Sequence, residues 1–414
     1  MSARRRIAVW SAALLLGSAT PTSAQLAAAP PVAFPAPAPT PVLGPQELLA
    51  TRRTPFTFTP TVTLFEEYND NVFLDNANRQ ADWITGAAPG FTLDLQGGTY
   101  RLAAAYNAVA ETYARLTRLN GTFDRQSGVL ESMYRPARAV ALTLADTYIR
   151  SVETSLVSAS GIATGRVRSW ANVVTPGAVW ELDPRWTLRL TGTYTAERFD
   201  GPDLVDSDIY RLTPTVERKL SERITATAGY ETGYVVVRRE PGLLTHAALL
   251  GVVYRLGPTL TGSLRAGPTF ELREDGRDRV APSIRADLRQ AFQSGSASLA
   301  YERSPGTAGG LGGGTDVDMV TGLLRLDGLL KGLSVEFGPR YTSVRSVTQR
   351  ASDRRFEAHA WTVGLHTVYR VASWMSLYLG YTFYEQRSNA RPAADVDQNR
   401  ATVGVQFGYP LTRD

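Results

Sequence analysis

The chain has 414 residues, no cysteine and a formal charge of +5, enough length for two or three soluble domains or one large barrel. The missing thiols exclude disulfide frameworks and thiolate metal sites. Three of the positive charges, Arg4, Arg5 and Arg6, lie in a segment that reads as an export signal, and without them the charge is about +2. The remaining basic residues are scattered arginines, with lysine only at positions 219 and 331, which excludes a concentrated nucleic-acid footprint.

In chain order, "RRR" supplies a charged start, "IAVWSAALLLG" a short apolar run and "TSA" the small residues before a cut after Ala24. Residues 1–24 are therefore expected to be a signal peptide. No other stretch approaches the roughly 20 continuous apolar residues of a membrane helix. Residues 25–53, rich in Pro and Ala, read as an extended periplasmic linker; "QELLATRR" at 46–53 could add one loose helical turn.

From Thr54 onward the pattern is of period two. "FTFTPTVTL" sets Phe56, Phe58, Pro60, Val62 and Leu64 against a threonine face. "WTLRLTGTYTAE", "TLTGSLRAGPTFEL" and "WMSLYLGYTFYE" repeat the alternation further along. Sustained period two means strands. Short connections at 96–99, 135–138, 183–185, 256–258, 293–296, 331–332 and 372–373 alternate with long ones at 150–166, 303–318, 345–355 and 386–399. Tight turns at one end and long loops at the other are the signature of a membrane barrel. The expected fold is all-β: a single transmembrane antiparallel β-barrel of about 18 strands over residues 54–414, with both termini in the periplasm. The loops near 160, 310 and 390 are then expected to meet protease added to intact cells. The 150–166 loop is long enough to fold into the lumen, but shows no constriction motif of the general porins.

The polar face carries too many charges for a dry core. Apolar residues are therefore expected to face lipid and polar ones a wet lumen. The expected lumen lining includes Arg101, Glu111, Arg189, Arg265, Glu271, Arg285, Asp287, Arg325, Asp327, Arg340, His366 and Arg400. Asp94, Glu197, Glu231 and Glu336 fall on the same face. Their mixed signs predict mutual neutralisation, weak ion selectivity and a lining suited to glycans. Seven mid-strand prolines, at 60, 89, 176, 214, 268, 282 and 339, fall on the lipid side, where bulges or bends are expected.

"TVTLFEEYNDNVFLD" at 61–75 ends the first strand near Tyr68 in a run of acids and amides. Without D-x-D-x-D-G spacing or a downstream bidentate Glu it reads as an extracellular rim, not a calcium loop. Phe65, Tyr68 and Phe73 would mark the interfacial aromatic girdle. Catalytic residues, cofactors and metals are not expected: the three histidines lack a nameable nucleophile, and no HExxH, P-loop or GxSxG occurs. The "GGLGGG" run reads as a flexible loop.

"TVGVQFGY" at 402–409 resembles the C-terminal signal read by the barrel-assembly machinery of Gram-negative outer membranes, on Gly404, Phe407 and Tyr409. "PTVTLFEEYNDNVF" resembles the first strand of an outer-membrane β-barrel group found with exopolysaccharide export and exosortase systems. That resemblance implies a non-enzymatic conduit for surface polysaccharide, embedded in outer-membrane lipid and working with a periplasmic polysaccharide-export protein. A general or substrate-specific porin for small solutes, or a structural or adhesive surface barrel, are the alternatives.

Overall fold

The computed structural model describes residues 56–238, 241–274, 276, 278–307, 309–312, 314–327, 329–346, 356–390 and 393–413. The expected signal peptide and linker lie outside them. Eighteen long strands follow one another: β1 (Phe56–Asn69), β2 (Asp82–Gln96), β3 (Tyr100–Tyr113), β4 (Gly121–Ala137), β5 (Val140–Glu153) and β6 (Arg166–Glu181). Then come β7 (Trp186–Phe199), β8 (Ser207–Lys219), β9 (Ile224–Val237), β10 (Leu243–Arg255), β11 (Leu260–Arg273) and β12 (Arg279–Phe292). The last six are β13 (Gly295–Gly306), β14 (Thr315–Asp327), β15 (Leu333–Ser346), β16 (Glu357–Ala372), β17 (Met375–Ser388) and β18 (Val396–Gly408). A three-residue β19 (Leu411–Arg413) and a single helical turn, α1 (Thr154–Val157), complete the elements used below.

Each strand pairs antiparallel with its neighbours in sequence, and β1 pairs with both β2 and β18. The sheet therefore closes on itself, and no edge remains to be satisfied in lipid. Phe56–Phe58 pairs with Leu411–Arg413, so the two ends of the described chain meet at the rim of the short turns.

The alternation expected from sequence sorts side chains in the opposite sense to a soluble barrel. Thr57, Thr59, Thr63 and Glu67 of β1 are buried inside, while Val62 and Leu64 are 45% and 46% exposed outside. The same inversion runs around the wall, with Thr191, Thr213, Glu231 and Arg285 inside and Leu190, Leu212, Tyr230 and Leu264 outside. An apolar exterior on a polar interior is stable only against hydrocarbon, so the barrel spans a membrane. Outward aromatics ring it at both levels. Tyr68–Trp83, Tyr148–Trp170 and Tyr341–Trp361 pair near the long loops. Trp374 stacks on Phe407 at the short-turn rim, where Arg218 lies over Trp186. These are positions for the two water–lipid interfaces.

All seven prolines lie on the outward face, but the expected bulges are not there. Pairing skips Pro176 between Val174–Tyr194 and Gly177–Thr191, then resumes in the same register. Pro89, Pro214, Pro268 and Pro339 behave alike. A missing N–H costs one ladder bond without demanding an extra residue. Room for the ring comes from the neighbouring strand: a Cβ on Gly192 would sit 3.2 Å from Pro176 Cγ, and one on Gly322 3.0 Å from Pro339 Cγ. The register shifts fall elsewhere, at Val109/Ala110, Tyr134/Ala137, Ser151/Glu153 and Arg370/Ala372.

Candidate functional site

The long-loop end of the barrel is filled from within. Between β5 and β6 the chain turns inward instead of outward. Residues Thr154 to Thr164 are buried throughout, with Ser158, Ser160, Ile162 and Ala163 at 0% exposure. The loop near 160 is thus not the protease-accessible surface loop expected from its length. Its composition explains the difference. "TSLVSASGIATG" carries no charge, so its backbone can be buried if each amide finds a partner.

Those partners come from distant walls. Arg400 of β18 grips the hinge residue Glu153 through both carboxylate oxygens, at 2.9 and 3.1 Å. The Ala159 N–H donates to Glu197 Oε1 at 3.1 Å, and Arg340 Nη2 donates to the Ala159 carbonyl at 2.5 Å. The Tyr384 hydroxyl donates to the Gly161 carbonyl at 2.9 Å. Gln386 clamps Ala163 from both sides, accepting its N–H at 2.7 Å and donating to its carbonyl at 2.9 Å. Gly161 sits at φ +71°. That left-handed backbone favours glycine, and a Cβ there would stand in ordinary contact, 3.4 Å, with the Arg340 guanidinium.

Above the loop lies an apolar layer. Ile162 and Ala163 pack with Leu74, Val317, Met319, Val344, Ala358, Ala360, Ala390, Ala393 and Val396. Leu74, Ala390 and Ala393 come from other long loops, so three connections converge on the mouth. Gly310 packs against Phe199 and Leu204, placing part of the expected surface loop near 310 inside as well. Ala390 and Ala393 do the same for the loop near 390.

The acid–amide run of the first strand belongs to this closure. The Asn71 N–H donates to Asn69 Oδ1, and the Asn71 side chain accepts the Asp75 N–H at 3.1 Å and donates to the Asp397 carbonyl at 3.0 Å. The Asn399 N–H and Nδ2 both donate to Asp70, at 2.7 Å. The amides staple the first loop to β18, which turns Val72 and Leu74 inward. Among the described residues no group of three or more His, Asp or Glu is placed to hold a metal ion. Phe65 departs from its expected girdle position: it points inward, 4% exposed, and packs with Ala88, Val109, Val368 and Tyr378.

The twelve lining residues read from sequence all fall on the inward face by strand pairing. Arg265 opposes Arg285, Arg340 opposes Thr362, and Arg400 opposes Thr382. Around them the structure adds Glu67, Arg125, Arg211, Glu217 and Glu302, which the sequence reading did not single out, and pairs them with residues that it did. Arg125 bridges Glu111 and Glu67, the latter at 3.7 Å. Arg189 binds Glu217 at 2.8 Å. Glu231 accepts from Arg211 at 3.2 Å and from Arg285 at 3.0 Å. Glu302 lies 3.8 Å from Arg285. Nearer the short turns Arg101 pairs with Asp94 at 3.4 Å and Arg325 with Asp327 at 2.8 Å. At the opposite end Glu271 binds Arg279 at 2.8 Å. Asp287 lies across from Ser263 and Ala300. His366 faces inward beside Tyr378, ring centroids 6.3 Å apart. Gly404 also faces inward, where a Cβ would meet the Tyr378 hydroxyl. Phe407 and Tyr409 face outward at the short-turn rim.

Arg125 shares the inward parity of Ser127, Val129 and Glu131 on β4, and the register shift at Val109/Ala110 lies beyond it, so the alternation itself was the signal for it. Glu153, Tyr384 and Gln386 acquire their roles only through the inward loop. The uncharged Ser/Ala/Gly composition of the loop was the signal available for it.

No family model matches the sequence, and no curated protein matches it. Solved structures similar to the barrel include OpdL from Pseudomonas aeruginosa, with 13% identity, 86% of this chain and 99% of that chain covered, and a TM-score of 0.45. OccK2 (OpdF) of Pseudomonas aeruginosa in complex with glucuronate shows 12% identity over 86% and 98% of the two chains, with a TM-score of 0.45. OccAB4 of Acinetobacter baumannii shows 11% identity over 86% and 99%, with a TM-score of 0.43. At this level of similarity nothing about cargo, gating or partners follows from them, and the association with polysaccharide export gains no support.

Proposed function

We propose that the protein is a loop-gated channel for small hydrophilic solutes in the outer membrane, captured in its closed form. The observation that carries this reading is the uncharged 154–165 loop, folded into a polar lumen and hydrogen-bonded to β7, β15 and β17. A passage wide enough for a polymer would have to displace that loop and the apolar layer above it together. The small-solute alternative therefore takes precedence over the polysaccharide conduit. The wall itself supports passage of water-soluble cargo, since threonine hydroxyls and ion pairs line it. The residues named above act by lining and tethering; no step of bond chemistry is assigned to them.

The test is swelling of proteoliposomes in sugars of graded size. Arabinose is expected to enter and high-molecular-weight dextran is not. Replacing residues 156–163 by a short Gly-Ser linker is expected to raise the arabinose rate. Dextran entry through the unmodified protein would restore the polymer conduit. Failure of arabinose to enter through either form would defeat the channel reading.

A further inference from the structure

The charges of the lumen are balanced as a whole but not around the wall. On β1–β6 the carboxylates Glu67, Glu111 and Glu153 meet Arg125 and Arg400, and Arg166 reaches Glu111 through the Tyr113 hydroxyl. Glu67 is fully buried, and neither of its carboxylate oxygens accepts a hydrogen bond; its ion pair is the 3.7 Å approach of Arg125, which Glu111 holds more closely. Facing them on β7–β15 are Arg189, Arg211, Arg265, Arg285 and Arg340. Their carboxylates are Glu217, Glu231 and Glu302. A fourth, Glu197, is taken up by the Ala159 N–H, Ser207 and Thr307. Arg340, 5% exposed, ion-pairs with no carboxylate among the described residues; it donates to the Ala159 carbonyl and to Thr342.

The division between the two walls is clearest toward the short turns. Inward Asp94, Glu131 and Glu181 outnumber Arg101 on β2–β6. Inward Arg255, Arg289, Arg325 and Arg370 outnumber Asp287, Asp327 and Glu336 on β10–β16. Opposite excesses on facing walls make a field directed across the lumen, while the net charge along it stays small.

We propose that the channel selects solutes carrying separated opposite charges, zwitterions of amino-acid type, oriented with the cationic end toward β1–β5 and the anionic end toward β7–β15. A uniformly charged ion meets attraction from one wall and repulsion from the other. An uncharged solute gains nothing from either. A zwitterion of matching length gains from both, and water in the lumen screens each contact to the strength of a surface ion pair.

This inference rests on the channel reading, and the experiment separates the two. Proteoliposome swelling is measured with 4-aminobutyrate and with erythritol, an uncharged solute of similar size. Both the unmodified protein and the form with residues 156–163 replaced by a Gly-Ser linker are used. The 4-aminobutyrate rate is expected to exceed the erythritol rate by about fivefold, the worth of roughly one screened ion pair. The excess is expected to vanish in Arg265→Gln/Arg289→Gln on one wall and in Asp94→Asn/Glu131→Gln on the other, with erythritol reporting the open pore in each. Equal rates for the two solutes overturn the inference and leave the channel reading standing. A strong anion preference in the reversal potential overturns it in favour of a purely basic lumen. No entry of either solute through either form overturns the channel reading and this inference together.

Discussion

Gln386 is the residue whose loss should open the closed form with least disturbance to the barrel. It is 0% exposed, and its amide satisfies both the N–H and the carbonyl of Ala163 while also donating to the Ala394 carbonyl at 2.8 Å. In Gln386→Ala these groups stay buried as long as the loop stays inside. Each unpaired backbone group costs about 1–3 kcal/mol. The Ala163 N–H keeps a second acceptor in the Tyr384 hydroxyl at 3.1 Å, so the carbonyls carry most of the loss. The closed form should lose about 2 kcal/mol, shifting the closed-to-open ratio about 30-fold. Once the loop leaves, the groups are hydrated and the penalty disappears, so the barrel itself is spared. The assay is single-channel recording in planar bilayers, with open probability read for both proteins. Gln386→Ala/Tyr384→Phe should open further than Gln386→Ala alone. An unchanged open probability in a variant that still shows the folded-barrel band shift in unheated electrophoresis would refute the tether argument.

Three other outcomes are expected. Protease added to intact cells should leave 154–165 uncut in the unmodified protein and cut it in Gln386→Ala, as read by fragment mass. Glu153→Gln leaves the buried Arg400 without its bidentate partner and should cost about 3–5 kcal/mol, whereas Glu153→Gln/Arg400→Gln should cost less than that single change; urea midpoints of refolded barrels decide it. Gly322→Val should cost about 1–3 kcal/mol by overpacking Pro339, and Pro339→Ala should recover most of it; a double change as unstable as Gly322→Val alone would deny the contact.

The barrel was legible in the sequence because a two-sided wall writes itself as period two. Thr191 and Thr193 had to face water if Leu190 and Tyr194 faced lipid, and the pairings of β7 agree. The placement of Pro176 or Pro339 followed from the same parity. The absence of bulges there did not, because it depends on small residues such as Gly192 and Gly322 in the adjacent strand. Arg125 was missed although parity holds there: it opposes Val109 in the same register as the rest of β4, and the two-residue shift lies beyond it. The inward course of 154–165 was the largest miss. A loop's direction is set by which distant groups satisfy its amides, and Glu197, Arg340 and Gln386 lie 38, 181 and 223 residues from the atoms they hold. The rim run "EYNDN" was read correctly as a boundary. Its work as a staple to Asp397 and Asn399 needed the closure of β1 on β18 to be seen.

The central claim, that the 154–165 loop closes an otherwise open polar lumen, is tested most directly by single-channel conductance of the protein with residues 156–163 replaced by a Gly-Ser linker. The account predicts a large, steady conductance in the replaced form and a mostly closed channel in the unmodified protein. Equal conductance in the two, from barrels equally well folded, would contradict it.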